Sequence, residues 1–476
     1  MKRSSDPSSR VPTGIPGLDP VLGGGLVLPG MYMLEGPPGA GKTILSAQLG
    51  FRLARAGHKA IYLSLIAESH GKLLQNLRGF EFFDDKLVPE RFVLMSGYQE
   101  LKSAGLAGLL QFIAQALAEH RPALLVIDGY SSLHMLAPRP SATAEFVYEL
   151  NTLITTAKCL CVLIAPQENG HWAEKNLVDG LIELYRQPSG MRSVRELEVH
   201  KMRAAAQIEG RHAFLIDSSG IRVFPRLEAS VPFRHTPPVY EDERAAFGVP
   251  GLDGMLYGGV LRGSVTCVSG PPGAGKTIAC LHFLDEGARH GEPGLYFGFY
   301  EAPTHLLAKA RNLGMKLEEA YQAGTFAVVW QPALECGLDQ LAAQLLEDVQ
   351  RRQVRRVVID GLEGFVQSAI RPERISTFFN ALVGELRRLH ATTLYTEEST
   401  LFALPAGAST LSSPAIVGNH IVLGYVQHEA HMRRTIAVLK QRQSAHDQDV
   451  RECWIEDKGL RVAPDSGSAQ AFLAGS

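Results

Sequence analysis

The chain has 476 residues, 45% of them apolar and 20% charged, with a formal net charge of −2. That balance is the profile of an ordinary globular protein, and it excludes the global basic field that would point to nucleic acid or a membrane surface. Six cysteines are scattered with no CxxC pair, so a reducing, cytoplasmic compartment is expected.

The opening MKRSSDPSSR carries basic residues with no apolar core behind them, so residues 1–10 read as a flexible N-terminus and not as a signal peptide. No run of 18 apolar residues follows anywhere, and no membrane span is expected. From there, short apolar runs alternate with longer amphipathic ones. GMYMLEG, KAIYLSL, RFVLMSG, ALLVIDG and CLCVLIAP are continuously apolar, as parallel strands covered on both faces are. KTILSAQLGFRLARAG and LAGLLQFIAQALAEHR carry the 3.6-residue period of helices lying on that sheet. The alternation predicts a three-layer α/β domain with a mainly parallel sheet.

The pattern then repeats. GPPGAGKT occurs twice, with Lys42 and Lys276 standing 234 positions apart. Asp19 and Asp253, Glu68 and Glu301, Asp128 and Asp360, and Lys201 and Lys440 keep the same order and nearly the same spacing. Five landmarks in register indicate tandem duplication of a domain of about 235 residues. PRLEASVPFRHTPPVYEDER, residues 225–244, breaks the hydrophobic period and reads as the linker. The expected domains are residues 11–235 and 236–464, with 465–476 as a flexible tail. Two basic stretches stay structural: RRQVRR as a helix C-terminus ahead of a strand, and HEAHMRR as a hairpin turn.

GPPGAGKT fits G-x-x-x-x-G-K-[ST], a phosphate-cradling loop between a strand and a helix. Its glycines let backbone N–H groups converge on an anion, and the following helix adds the positive end of its dipole. The expected nucleotide contacts are Gly36, Pro37, Pro38, Gly39, Ala40, Gly41, Lys42 and Thr43 in the first copy. In the second they are Gly270, Pro271, Pro272, Gly273, Ala274, Gly275, Lys276 and Thr277. The lysines would reach the β- and γ-phosphates of ATP. Thr43 and Thr277 would ligate Mg²⁺, with Asp128 and Asp360, each at the tip of a buried strand, as its further ligands.

These residues carry a resemblance. PTGIPGLD, GGG and GPPGAGKT, with their second copies, resemble the KaiC family of double-domain RecA-like ATPases. The stretch LGYVQHEAHMRRTIAVLKQRQSAHDQDVRECWIEDKGLRV is similar to the end of that family's second domain. The resemblance implies two tandem RecA-like domains and a hexameric ring of two tiers, with ATP held between neighbouring subunits. It also implies that Lys201 and Arg203, and Lys440 and Arg442, reach the γ-phosphate bound by the adjacent subunit. His446 stands where the family has a nucleotide-contacting histidine, whereas the first domain has Gln207 there.

Two departures qualify what carries over. The family's paired glutamates after the second strand are here Ala67–Glu68 and Tyr300–Glu301, which leaves Glu68 and Glu301 as the candidate bases and a slow ATPase as the expectation. The phosphoacceptor positions of the clock proteins fall on Pro414 and Ala415, which have no hydroxyl, although Ser409, Thr410, Ser412 and Ser413 lie nearby. The reading is an ATP-hydrolysing ring whose nucleotide state switches assembly or a surface for a regulatory protein partner. The alternatives are a serine/threonine autokinase, a scaffold that binds ATP without hydrolysing it, and a DNA motor, which the near-neutral charge disfavours.

Overall fold

The apolar runs of each half line up as one sheet. In the computed structural model the described residues are 10–66, 70–167, 173–190, 192–230, 243–331, 336–399, 417–429, 431–442, 444–467 and 469–470. The first half's runs become the strands Gly30–Glu35, Ala60–Ser64, Phe92–Ser96, Leu124–Asp128 and Leu160–Ile164. They are parallel, and the loop-bearing strand Gly30–Glu35 pairs on its other side with Gly180–Ser189, also parallel. Three antiparallel strands, Arg192–Met202, Arg211–Asp217 and Gly220–Phe224, complete a nine-stranded sheet.

Successive residues of the parallel strands point to opposite faces, and both faces are covered. Tyr32, Leu34, Tyr62 and Val126 pack with Leu45, Leu49 and Leu53 of the helix Lys42–Arg55. Met31, Met33, Ile61 and Ile127 pack on the other side with Leu109, Ile113 and Leu117 of Tyr98–His120 and with Val147 and Ile154 of Pro140–Ala157. Burial on both faces is why these strands read as unbroken apolar runs. Tyr98–His120 is long and apolar enough to cross a membrane by length and composition. Its backbone breaks at Gly105 (φ 66°), however, and its leucines lie in the core.

The second half repeats the arrangement. Parallel strands Val265–Gly270, Gly294–Gly298, Phe326–Trp330, Arg356–Asp360, Thr392–Glu398 and Asn419–His428 are followed by antiparallel His431–Gln441, Arg451–Glu456 and Gly459–Val462. The chain therefore holds two tandem RecA-like α/β domains. By contacts it divides into two compact units between Ser230 and Val231. The basic run RRQVRR does end a helix, Leu338–Arg351, but its last arginine is a buried strand residue. Within residues 465–476, the N–H of Gln470 donates to Ser466 O at 2.8 Å.

The recurring aspartates of PGLD are structural. Asp19 accepts from Thr13 N at 2.6 Å and Thr13 Oγ1 at 2.7 Å, and Asp253 accepts from Phe247 N at 2.7 Å and Val249 N at 3.1 Å. Each carboxylate ties the chain ahead of a short helix to that helix's first turn.

Candidate nucleotide-binding sites

The loop from Gly36 to Gly41 joins the strand Gly30–Glu35 to the helix Lys42–Arg55 and bends so sharply that glycine is required. Gly36, Gly39 and Gly41 have φ of 152°, 74° and 111°. A Cβ on Gly36 would fall 2.4 Å from Leu184 O, and one on Gly41 would fall 2.8 Å from Ile216 Cδ1. Neither Gly41 nor its counterpart Gly275 offers a side-chain cap to its helix, so the first turn's N–H groups have no cap ahead of them. Uncapped donors on a coiled loop, at the positive end of a 14-residue helix, fit a polyphosphate.

The lysines arch back over their loops. Lys42 Nζ donates to Gly36 O at 2.5 Å and Pro37 O at 3.1 Å; Lys276 Nζ donates to Gly270 O at 2.7 Å and Pro271 O at 3.1 Å. Burial holds both ammonium groups below the usual lysine range. Asp128 opposes this in the first domain; Glu398, Asp360 and Glu363 oppose it in the second.

Asp128 and Asp360 end strands lying two places from the loop strand. Thr277 Oγ1 donates to Asp360 Oδ2 at 2.9 Å, so the two residues expected to hold a metal are in contact in the second domain. Asp360 also accepts from Thr396 Oγ1 at 2.6 Å and from the Tyr296 hydroxyl. Asp128 accepts from the Tyr62 hydroxyl at 2.5 Å. In the first domain Thr43, Asp128, Tyr62, Ser64 and His70 line a cavity of about 350 Å³ beside the loop. Among the described residues no three His, Cys, Asp or Glu side chains form a metal cage. A Mg²⁺ here would lean on nucleotide oxygens, as this ion usually does.

Sequence reasoning missed Tyr62, Tyr296, Thr396, Glu363 and Glu398. The two tyrosines carried a signal, because they recur at the same interval as the phosphate-loop lysines. Glu68 lies outside the described residues, as do Ala67, Ser409, Thr410, Ser412, Ser413, Pro414 and Ala415. Glu301 is bonded to Lys309 of the helix Pro303–Asn312. Its neighbour Tyr300 is 65% exposed and lies over Gly361, the residue after Asp360.

The K-x-R residues stand at the other end of the sheet. Arg203 N donates to Asp179 O, and Asp179 N donates to Met31 O, so Arg203 is level with a residue five positions before Gly36. Arg442 N donates to Gly418 O, and Gly418 N to Val265 O, again five positions before Gly270. At the strand rise of about 3.3 Å per residue, each arginine's backbone is roughly 17 Å from its own phosphate loop. Lys201 donates to Asn176 O at 2.9 Å and Lys440 to Val417 O at 2.9 Å. Burial, then the adjacent arginine, holds both lysines below the usual range. His446 is half-buried on the connection after Arg442, next to Asp447, which is ion-paired with Arg451.

A phosphate loop heading each of two parallel-sheet domains, with an aspartate held beside it, defines a tandem RecA-like P-loop ATPase. The KaiC ATPase family model matches residues 11–228 and 245–467, and the chain belongs to the KaiC family. It is similar to the circadian clock oscillator protein KaiC of Rippkaea orientalis, 24% identical over 481 residues, covering 98% of this chain and 91% of the relative. The same protein of Synechococcus elongatus is 24% identical over 482 residues, covering 98% and 92%. The circadian clock protein KaiC3 of Synechocystis is 25% identical over 503 residues, covering 100% and 96%.

Proposed function

We propose that this KaiC-family chain is a cytoplasmic, slow ATPase that assembles, as a hexamer, into a two-tier ring with Mg·ATP at each phosphate loop. The nucleotide state then switches assembly or a surface for a protein partner. One observation carries this reading: in both domains the K-x-R arginine backbone stands roughly 17 Å along the sheet from its own loop, and the lysine about 10 Å. Cations so placed serve a loop on another subunit. Lys42, Thr43 and Asp128, and Lys276, Thr277 and Asp360, take the phosphate and metal roles; Lys201, Arg203, Lys440 and Arg442 complete a neighbour's site, and His446 contacts nucleotide in the second tier. Glu68 is the base of the first domain. The phosphorylation cycle of a clock protein is not carried over, since Pro414 and Ala415 cannot accept phosphate.

Counting bound nucleotide tests the foundation. Lys42→Ala and Lys276→Ala should each remove about half the ATP bound per chain, because each deletes the cation of one loop. A double mutant that still binds two ATP per chain would overturn the reading.

A further inference from the structure

The second domain departs from the first around its phosphate lysine. The strand Thr392–Glu398 runs between the loop strand Val265–Gly270 and the aspartate strand Arg356–Asp360, so its C-terminal end opens between Lys276 and Asp360. Glu398 is the last residue of that strand and pairs with Gly270, and Ser399 N donates to Gly270 O at 3.2 Å. The N–H of Glu398 donates to Glu363 Oε1 at 2.7 Å, Glu363 being the third residue after Asp360. Glu398 is also the first of the charges opposing the effect of burial on Lys276. It is exposed, and so open to water.

At the corresponding positions the first domain has no carboxylate. Gln167 N donates to Gly36 O as Ser399 N does to Gly270 O, which makes Pro166 the counterpart of Glu398. Counting from Asp128 makes Ser131 the counterpart of Glu363. Meanwhile Glu301, the second domain's match to Glu68, is engaged by Lys309, and Tyr300 covers the turn after Asp360.

We infer that Glu398, in place of Glu301, takes the proton from the attacking water in the second domain, with Glu363 positioning it through its backbone N–H. This rests on the ATPase reading above. In the step, the water oxygen bonds to the γ-phosphorus as the bond from that phosphorus to the bridging oxygen of ADP breaks. The water proton passes to the Glu398 carboxylate and then to solvent, and ADP and phosphate leave.

The test uses the full chain with Lys42→Ala, so that turnover comes from the second domain, and reads phosphate release and bound ATP together. Glu398→Gln should lower kcat about 100-fold, within the range for a general base, and leave KM and ATP occupancy unchanged. Glu363→Gln should lower kcat by a smaller factor, again at full occupancy, whereas Glu318→Gln, on the exposed pair with Arg311, should keep the background rate. Parental turnover in Glu398→Gln, or a loss confined to Glu301→Gln, overturns the inference. No phosphate release from the Lys42→Ala background with ATP bound would instead sink the ATPase reading for this domain, and the inference with it.

Discussion

A single carboxylate shows how the second site is held. Asp360 is buried and accepts hydroxyl hydrogen bonds from Thr277, Thr396 and Tyr296. Burial and then the charge of Asp360 push the Tyr296 hydroxyl well above the usual tyrosine range, so it remains a donor throughout the physiological range. Thr396 Oγ1 also accepts from Gly361 N at 2.7 Å, which fixes the turn on which Tyr300 rests. Such a carboxylate is oriented before any ligand arrives, which lowers the ordering a ligand must impose.

A second charged group, remote from the loop, bears on stability. Arg356 is 2% exposed, the last residue of RRQVRR, and its Nε donates to Glu292 Oε2 at 2.5 Å; Arg262 holds the other oxygen at 2.6 Å. Arg356 also donates to Ala246 O at 2.6 Å and Phe283 O at 2.8 Å. Burial raises the Glu292 pKa, but the bonds and charges of Arg262 and Arg356 outweigh it and hold the carboxyl below the usual range. A group lowered in the folded state stabilises fully above its unfolded pKa of about 4.3, and this contribution is lost as pH falls through the folded value. Glu292→Ala leaves a buried guanidinium without its anion and should cost about 3–5 kcal/mol at pH 7. Urea unfolding should show this gap between parent and variant narrowing as pH falls below about 4.3, where the unfolded chain's carboxylate takes up a proton, and narrowing further until the folded carboxyl, held lower, is protonated as well. A gap that stays constant with pH would assign the loss to packing alone.

At the scale of elements, what the sequence revealed follows from burial. The five parallel strands of the first half were legible because both of their faces are covered, and their apolar runs are unbroken. The antiparallel part was not: in Arg211–Asp217 the buried His212 and Phe214 alternate with less buried neighbours, and the run has no uniform character. The K-x-R motif was visible as a repeated pair, yet its place at the far end of the sheet required the register. Glu363 and Glu398 were illegible for a similar reason. One opens the short helix Glu363–Ser368 and the other ends the strand Thr392–Glu398, 35 residues apart; they meet only through sheet order and have no counterpart in the first repeat to draw notice. The position of the K-x-R strands sets a prediction. A cation on the γ-phosphate is worth up to about 10³–10⁵-fold in phosphoryl transfer, so Arg203→Ala with Arg442→Ala should lower phosphate release at least about tenfold. ATP should still bind, because the loops, lysines and aspartates are untouched. Unchanged turnover in the assembled double variant would show that these arginines do not reach a reacting phosphate.

For the whole molecule, the same displacement would govern the proposed association. Each domain offers a phosphate loop at one end of its sheet and a pair of cations at the other. A contact that brings the cations of one copy to the loop of the next is head-to-tail, and such a contact closes into a ring when its rotation allows. An ATP held more tightly at that contact than on a single copy would by mass action stabilise the assembly over the free chain. Without nucleotide, two cation pairs per subunit would face an interface with no phosphate to neutralise them, and like charge held there opposes association. The expected outcome is that Mg·ATP shifts the chain from small species to a hexamer in light scattering. The Arg203→Ala, Arg442→Ala double variant should need a higher ATP concentration for the same shift. A chain that stays monomeric at every protein concentration, with both sites filled, would remove the neighbour from the mechanism and leave the K-x-R cations without a phosphate to serve.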